Sequence, residues 1–390
     1  MGDMNVSEAV KYIGVNDHDL DLFESQYPVK NGMSYNSYVI LDDKIAVMDT
    51  ADKRVTTQWM NNLKHVLKDR KPDYLIVSHM EPDHAANIAN FVEEFPEAKV
   101  VGNAKTFQMM EQFFHKDFSG VAYQVNDGDT LSLGKHELTF FFAPMIHWPE
   151  VMVTYESTEK IMFTADAFGK FGTLDIQEKW SIEARRYYYN IVGKYGVQVG
   201  NLLKKMDTMD IQVICPLHGP MLKDNIDYYI RKYKIWASYD ADKEGVLICY
   251  ASIYGNTKAA ALKLAEYVRE CGEKRVVVID LTRTDVSIAL SDAFRYDHMV
   301  LAAPSYDGGL FPCMENFLNH LKAKNYQRRV VGLIENGSWA PVAARCMREK
   351  LEAMKGITVV GPHVTIKSSM NQENLDQLRN LAKTMTQREK

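Results

Sequence analysis

The chain has 390 residues, 46% hydrophobic and 25% charged, with a formal net charge of −5. That length exceeds one ordinary core and sets two domains as the expectation, and the balance is that of a globular protein in water. No apolar run approaches a membrane span, the start M-G-D-M-N-V-S-E-A-V lacks the basic flank and apolar core of an export signal, and no dense basic stripe marks a nucleic-acid surface.

The five cysteines, Cys215, Cys249, Cys271, Cys313 and Cys346, are widely spaced and odd in number. None forms a C-x-x-C, so the pattern excludes a zinc ribbon, a rubredoxin-type iron site and a disulfide framework, and points to a reducing cytoplasm. Charge is divided unevenly. Residues 1–244 hold 26 Lys+Arg against 36 Asp+Glu, a net of −10, and residues 245–390 hold 20 against 15, a net of +5. Such halves could dock on one another or steer an acidic partner.

In chain order, residues 34–49 alternate as a strand pair around the turn at Asp42-Asp43. Residues 55–67 form an amphipathic helix. Tyr74-Leu75-Ile76-Val77 reads as a buried parallel strand, and it runs into S-H-M-E-P-D-H-A-A-N at 78–87. His79, Glu81, Asp83 and His84 lie there at a strand's C-terminal tip, where α/β sheets place ligands. Pro82 is expected to delay the next helix and keep the four side chains on a loop. Further strands are expected at 98–102, 137–144, 151–155, 160–164 and 212–215, with a helix at 106–114 and a mostly helical stretch at 182–206. His147, Asp166 and His218 each follow a strand end, as the first cluster does. The remaining histidines, His18, His65, His115, His136, His298, His320 and His363, read as surface or satisfied core residues.

Four histidines and three carboxylates exceed what one catalytic ion takes, and suit two ions with one bridging carboxylate. The pattern His79-x-Glu81-x-Asp83-His84 resembles the metallo-β-lactamase superfamily, and more closely its flavodiiron branch. The superfamily's hydrolases carry H-x-H-x-D-H. Here the second histidine is a carboxylate, a hard, anionic ligand that favours redox-cycling iron over zinc. The resemblance implies that His79, Glu81 and His147 hold one iron, that Asp83, His84 and His218 hold the other, and that Asp166 bridges. His147 lies in H-W-P-E, where Trp148 and Pro149 would fix the backbone, and His218 lies in the rigid turn C-P-L-H-G-P. The stretch N-I-V-G-K-Y-G resembles the part of the family that brings a tyrosine near the metals, which nominates Tyr195.

A second domain is expected from residue 244, giving 1–243 and 244–390. Residues 245–251 form a buried strand that runs into Ser252-Ile253-Tyr254-Gly255-Asn256-Thr257 and a helix to Cys271. A hydroxyl- and glycine-containing loop at a helix N-terminus is a phosphate nest. It has neither G-K-[ST] nor G-x-G-x-x-G, and it resembles the FMN phosphate loop of flavodoxins. Two later strand ends carry Pro304-Ser305-Tyr306-Asp307-Gly308-Gly309 and Glu335-Asn336-Gly337-Ser338-Trp339. In the flavodoxin-like fold such loops flank the isoalloxazine. Tyr306 and Trp339 are its candidate stacking partners, and Asp307 at the ring edge would disfavour an anionic hydroquinone.

The resemblance covers nearly the whole chain. It implies an α/β protein: a metallo-β-lactamase-like αβ/βα sandwich followed by a flavodoxin-like doubly wound five-stranded parallel sheet, order 2-1-3-4-5, with no fused rubredoxin or reductase. It implies an oxidoreductase with FMN and two non-haem iron ions, reducing dioxygen, nitric oxide or both. Electrons would come from an external donor such as rubredoxin, and the chains would pair as a head-to-tail homodimer or a dimer of dimers. Three alternatives stand beside it: reduced deazaflavin as the donor, a zinc-dependent hydrolase with an FMN domain, and a simple electron carrier. Glu81 and the flavin loops speak against the hydrolase, and the seven ligand-type residues against the carrier.

Overall fold

A computed structural model describes residues 5–388. The chain divides into two compact units, Met1–Lys234 and Ile235–Lys390.

The first unit contains a six-stranded and a five-stranded sheet. In the first sheet, Tyr38–Ile40 pairs antiparallel with Ala46–Met48, which pairs in parallel with Tyr74–Ile76, which pairs in parallel with Lys99–Gly102. In the second, Met152–Glu156 pairs antiparallel with both Glu137–Phe142 and Ile161–Phe163, and Val213–Cys215 pairs in parallel with Ile161–Phe163. Side chains alternate across a strand. Tyr38, Ile40, Ala46, Met48, Tyr74 and Ile76 therefore share one face, and they form a single core with Leu138, Phe140, Met152, Ile161 and Phe163 of the second sheet. The intervening Val39, Val47 and Leu75 are fully buried as well, the mark of strands covered on both faces. Each such side chain is worth roughly 1.5–3 kcal/mol of burial. Helix Thr56–Leu67 buries Trp59, Leu63 and Leu67, one stripe at i, i+4, i+8.

One local expectation changes, and one is refined. Pro82 does not delay a helix: it occupies the first turn of the short helix Pro82–Ala85, with Glu81 as N-cap. Proline fits there because the first-turn N–H has no intrahelical partner and the ring presets φ. Asp83 and His84 thus stand on a helical turn. Residues 182–206 are helical, as expected, but in four pieces. Trp180–Tyr187 is α-helical, Tyr188–Val192 is a π turn, Gly193–Tyr195 is 3₁₀ and Gly196–Met206 is α-helical again.

In the second unit, Lys243–Tyr250 lies between Val276–Asp280 and Tyr296–Tyr306, all parallel. Val330–Asn336 follows in parallel, and the fifth position is filled by two short pieces, Thr358–Val359 and Val364–Ile366. The order is the expected 2-1-3-4-5. Helices Asn256–Glu270 and Gln372–Thr386 contribute Leu264, Val268, Leu378 and Leu381 to the core on one face. Gly332 permits this approach, since a Cβ there would meet Leu381 Cδ1 at 2.9 Å. Among the described residues no helix is long and apolar enough to cross a membrane.

Candidate metal centre and flavin cavity

The seven residues singled out in the first unit converge. One ligand atom each from His79, Glu81, His147 and Asp166 lies within 4.8 Å of the others, and the same holds for Asp83, His84 and His218. Asp166 faces both sets. Its Oδ2 is 3.1 Å from His147 Nε2 and 3.5 Å from His79 Nε2, and its Oδ1 is 3.4 Å from His84 Nε2 and 3.7 Å from His218 Nε2. Within the second set, His84 Nε2 and His218 Nε2 approach to 3.0 Å. Glu81 Oε2 is 3.0 Å from His147 Nε2, and Asp83 Oδ2 is 3.2 Å from His218 Nε2.

The backbone holds these side chains at strand ends. Val77 N–H donates to Val101 O across the first sheet, and Met152 N–H donates to Ser78 O, tying the two sheets together beside His79. Buried Asp49 accepts from Ser78 N–H at 2.6 Å. Burial pushes the Asp49 carboxyl up to about 6, against the hydrogen bonds from Ser78. Thr50 N–H donates to His84 O, and Leu217 N–H to Ala165 O. Asn36 Nδ2 clamps the turn around His218 by donating to Pro216 O and Gly219 O. Gly219, at φ 77°, closes on Lys170, whose Cγ would lie 2.6 Å from an added Cβ.

Two imidazoles are oriented from behind. Glu150 Oε1 is 2.8 Å from His79 Nδ1 and also accepts from Met80 N–H. His218 Nδ1 lies 2.7 Å from Ser34 O. In both rings Nε2 is thereby left to face the cluster, the outer-shell arrangement that fixes a metal-binding tautomer. Glu150 carried no assignment in the sequence; its signal is an acid three residues after His147 in H-W-P-E.

The electrostatics are those of a cation site. Burial opposes the charged form of His79, yet the hydrogen bond to Glu150 and the nearby carboxylates of Glu81 and Asp166 hold its pKa well above the usual value. His147 is likewise opposed by burial but lifted to about 9 by Asp166 and Glu81. Burial pushes Asp83 up to about 7, reinforced by Glu81 and Asp166. Burial also opposes Asp166, but contacts from His147 and His84 hold it well below the carboxylate range. His79 Nε2 and both oxygens of Asp83 and Asp166 are buried with no hydrogen-bond partner. Leaving such atoms unpaired is costly. The donor set, hard carboxylates with imidazoles, fits divalent iron at two positions.

Tyr195 is not the tyrosine that the structure sets against this cluster. It is the half-buried N-cap of Gly196–Met206, with Lys194 Nζ 5.8 Å from its ring centroid. Tyr187 is fully buried, its ring centroid is 5.6 Å from that of His218, and its hydroxyl has no hydrogen-bond partner. Burial, then Asp166, Glu81 and Asp83, raise its pKa well above the usual value. The π turn that follows Tyr187 shifts the helical phase before Tyr195 is reached.

In the second unit a cavity of about 320 Å³ opens among the expected loops, within the lower range of ligand pockets. It is lined by Ser252, Ile253, Tyr254, Asn256 and Thr257 of the first loop. The second supplies Pro304, Ser305, Tyr306, Asp307 and Gly308, and the third Asn336, Gly337, Ser338 and Trp339. Ala340 and Ser368 line it too, neither of which the sequence had marked. Gly255 and Gly309 shape the loops instead. Gly255, at φ 97°, caps helix Asn256–Glu270, and its N–H donates to Ser252 Oγ. Gly309 pairs with Tyr306 in a hairpin that turns at Asp307 and Gly308, both at positive φ. Ser305 Oγ accepts from Val342 and Ala343 N–H, joining the second and third loops. Asn336 grips Ser368 with both side-chain atoms: Nδ2 donates to Ser368 O and Oδ1 accepts from Ser368 N–H. A helix N-terminus behind a hydroxyl-bearing loop, opposite two aromatic rings, fits a phosphorylated flavin.

Comparison with known proteins assigns a domain family to each unit. Residues 33–219 match the ODP family beta lactamase profile and residues 247–368 match a flavodoxin domain. A rubredoxin-oxygen oxidoreductase of Megalodesulfovibrio gigas is 27% identical, covering 91% of this chain and 90% of its own. A nitric oxide reductase of Moorella thermoacetica is 25% identical over 98% of both chains. The solved structure of rubredoxin oxygen:oxidoreductase from Desulfovibrio gigas superposes with a TM-score of 0.91 at 25% identity, covering 98% of this chain and 97% of that one. The chain spans about half, 48%, of the length of diflavin flavoprotein A 1 of Synechocystis, to which it is 31% identical. A β-lactamase-like domain followed by a flavodoxin domain defines a class of two-domain oxidoreductases that combine a flavin with a binuclear metal site. Within that class the chain belongs to the flavodiiron proteins, whose cofactors are FMN and a non-haem diiron centre.

Proposed function

We propose that this flavodiiron protein reduces dioxygen, nitric oxide or both, using electrons that a rubredoxin-like donor delivers through FMN. The observation that carries the reading is the pair of buried side-chain sets sharing Asp166, with five unpaired ligand-type atoms at their centre. On this reading His79, Glu81 and His147 hold one iron, Asp83, His84 and His218 the other, and Asp166 both. When bound, two ferrous ions supply one electron each and hold two oxidant atoms side by side.

The chain's own groups prepare that chemistry. Glu150 holds a proton on His79 Nδ1, and the Ser34 carbonyl holds one on His218 Nδ1, so that in each ring Nε2 is the atom left to a metal ion. Tyr187 retains its phenolic proton, and its unpartnered hydroxyl is free to donate to what binds beside His218. Phe23 and Phe171 shield that side from water, with Phe23 edge-on to His218 at 5.3 Å. In the flavin unit, Ser252 to Thr257 would take the phosphate, Tyr306 and Trp339 the ring faces, and the backbone of Asp307, Gly308 and Gly337 the ring edge. FMN supplies storage for two electrons. The relatives named for dioxygen and for nitric oxide are equally distant, at 27% and 25% identity, and support both substrates alike.

The domain limits 1–243 and 244–390, a cytoplasmic site and a head-to-tail dimer complete the proposal. Five free cysteines support the compartment, and the net charges of −10 and +5 support the dimer. A dimer dissociation constant that does not change with salt would remove that electrostatic support. The function is tested by anaerobic stopped-flow on reduced, iron- and FMN-loaded protein, mixed with each oxidant while excess reduced rubredoxin feeds the flavin. Reoxidation by both supports the reading and ranks the substrates. Reoxidation by neither, with metal and FMN verified, rejects it.

A further inference from the structure

One route from the cluster to the surface is lined by oxidisable side chains. Asp166, which faces both sets, is followed two residues later by Phe168, and the Gly169 N–H closes the turn by donating to Asp166 O at 3.1 Å. Phe168 has φ 68°, a left-handed conformation that costs a non-glycine residue free energy. In that conformation both of its amide groups meet the polar atom of an aromatic side chain. Its N–H donates to the Tyr233 hydroxyl, and its carbonyl accepts from Trp180 Nε1 at 3.1 Å. Its ring stacks on Tyr233 with centroids 4.0 Å apart.

From there the rings continue outward. Helix Ile226–Ala237 places Tyr229 and Tyr233 four residues apart, on one face. Trp180 lies against both, its centroid 6.4 Å from that of Tyr233 and 4.9 Å from that of Tyr229. Tyr228 is 6.3 Å from Trp180 and 5.3 Å from Tyr229. These are the separations of rings in contact. Tyr233 and Trp180 are buried, and Tyr228 and Tyr229 are half-buried, so the series ends at water. A core asks only for apolar volume, which leucine or phenylalanine supplies. Tryptophan and tyrosine add the capacity to lose an electron, which phenylalanine and leucine lack.

Resting on the proposed function, we propose that Trp180 and Tyr229, with Tyr233 and Tyr228 beside them, carry oxidising equivalents out of the centre when the flavin has no electrons to give. Dioxygen needs four electrons to become water. The ferrous pair supplies two and reduced FMN the other two. With FMN oxidised, the oxidant is left two electrons short. Each missing electron comes from Trp180 through the Phe168 amide, and the matching proton reaches the oxidant from water. The indole keeps its own proton, shared with the Phe168 carbonyl. Tyr229 returns an electron to Trp180 and releases its hydroxyl proton to water. A small thiol then restores Tyr229 by giving it a hydrogen atom, and two of the resulting thiyl radicals join as a disulfide. The ligand imidazoles are thereby spared oxidation.

The test uses the full chain carrying ferrous iron and oxidised FMN, as wild type, Trp180→Phe and the double variant Tyr228→Phe/Tyr229→Phe. Each is mixed with dioxygen, frozen rapidly and examined by EPR, with ring-deuterated tryptophan or tyrosine to assign the signal. The wild type is expected to give a tyrosine radical that a small thiol abolishes. In the double variant the signal is expected to move to tryptophan, and in Trp180→Phe the tyrosine signal is expected to be lost. With excess reduced donor all three are expected to turn over alike, because the flavin then supplies the electrons. Iron oxidised without an organic radical in the wild type would overturn the proposal, as would a tyrosine radical unchanged in Trp180→Phe. Iron that stays ferrous in the wild type would instead overturn the dioxygen reading itself.

Discussion

Six of the seven clustered side chains in the N-terminal unit are buried, whereas the flavin cavity is rimmed by Tyr254, Tyr306 and Trp339, which are 94%, 45% and 91% exposed. The buried site is made of charged side chains whose polar atoms water cannot reach. The open one is made of backbone, hydroxyls and aromatic faces that water satisfies when no ligand is bound. The first arrangement conflicts with itself until cations arrive, and the second is at rest when empty. Metal binding is therefore expected to stabilise the first unit more than flavin binding stabilises the second.

Four outcomes would sharpen or break that contrast. Asp166→Ala removes the carboxylate that faces both sets. It should leave fewer than two ions per chain by elemental analysis and lower turnover by about 10³-fold, the equivalent of several kcal/mol; two tightly held ions would break the contrast. Next in size is the metal-free protein's response to pH. His147 has a pKa raised to about 9, so the stability it contributes is present below about 6.5 and lost as pH rises through 9, an amount of about 3 kcal/mol. Asp83, raised to about 7, acts with the same sign between about 4 and 7. Calorimetry in chelator should therefore show the N-terminal unit melting earlier at pH 9 than at pH 6.5, and metal loading should abolish the trend.

Glu150→Gln frees the back of His79, and ion affinity should fall by about 10–100-fold. A visible-range titration with a chelating dye measures this, and an unchanged affinity would remove Glu150 from the centre. Trp339→Ala sits at the small end. Loss of one stacked ring should weaken FMN binding by about 3–10-fold, read from flavin fluorescence quenching, while the melting of the flavin-free unit stays put.

The seven clustered residues were legible because each combines a ligand-type side chain with the end of a buried strand, a conjunction that survives errors of a residue or two in element bounds. The strand order of the flavodoxin-like sheet was legible for a similar reason, since apolar runs and glycine-bearing loops alternate without interruption. What escaped depended on local phase and on the far side of the site. Tyr187, Tyr188 and Tyr189 are all fully buried, and only the π turn after Tyr187 decides which ring meets His218. Glu150 is one acid among many until its oxygen is seen 2.8 Å from His79. Pro82 was misjudged because the same ring that breaks a helix interior also starts one.

The two oxygens of Asp166 point to opposite sets, Oδ2 towards His79 and His147 and Oδ1 towards His84 and His218. On the proposed assignment this shapes how the protein fills. Because one carboxylate faces both sets, an ion held by either set would leave Asp166 already placed for the other. Uptake is then cooperative, and singly loaded chains are scarce. In a cell short of iron such a population divides into complete and empty molecules. An average of one ion per chain would describe half of the molecules fully competent and half inert.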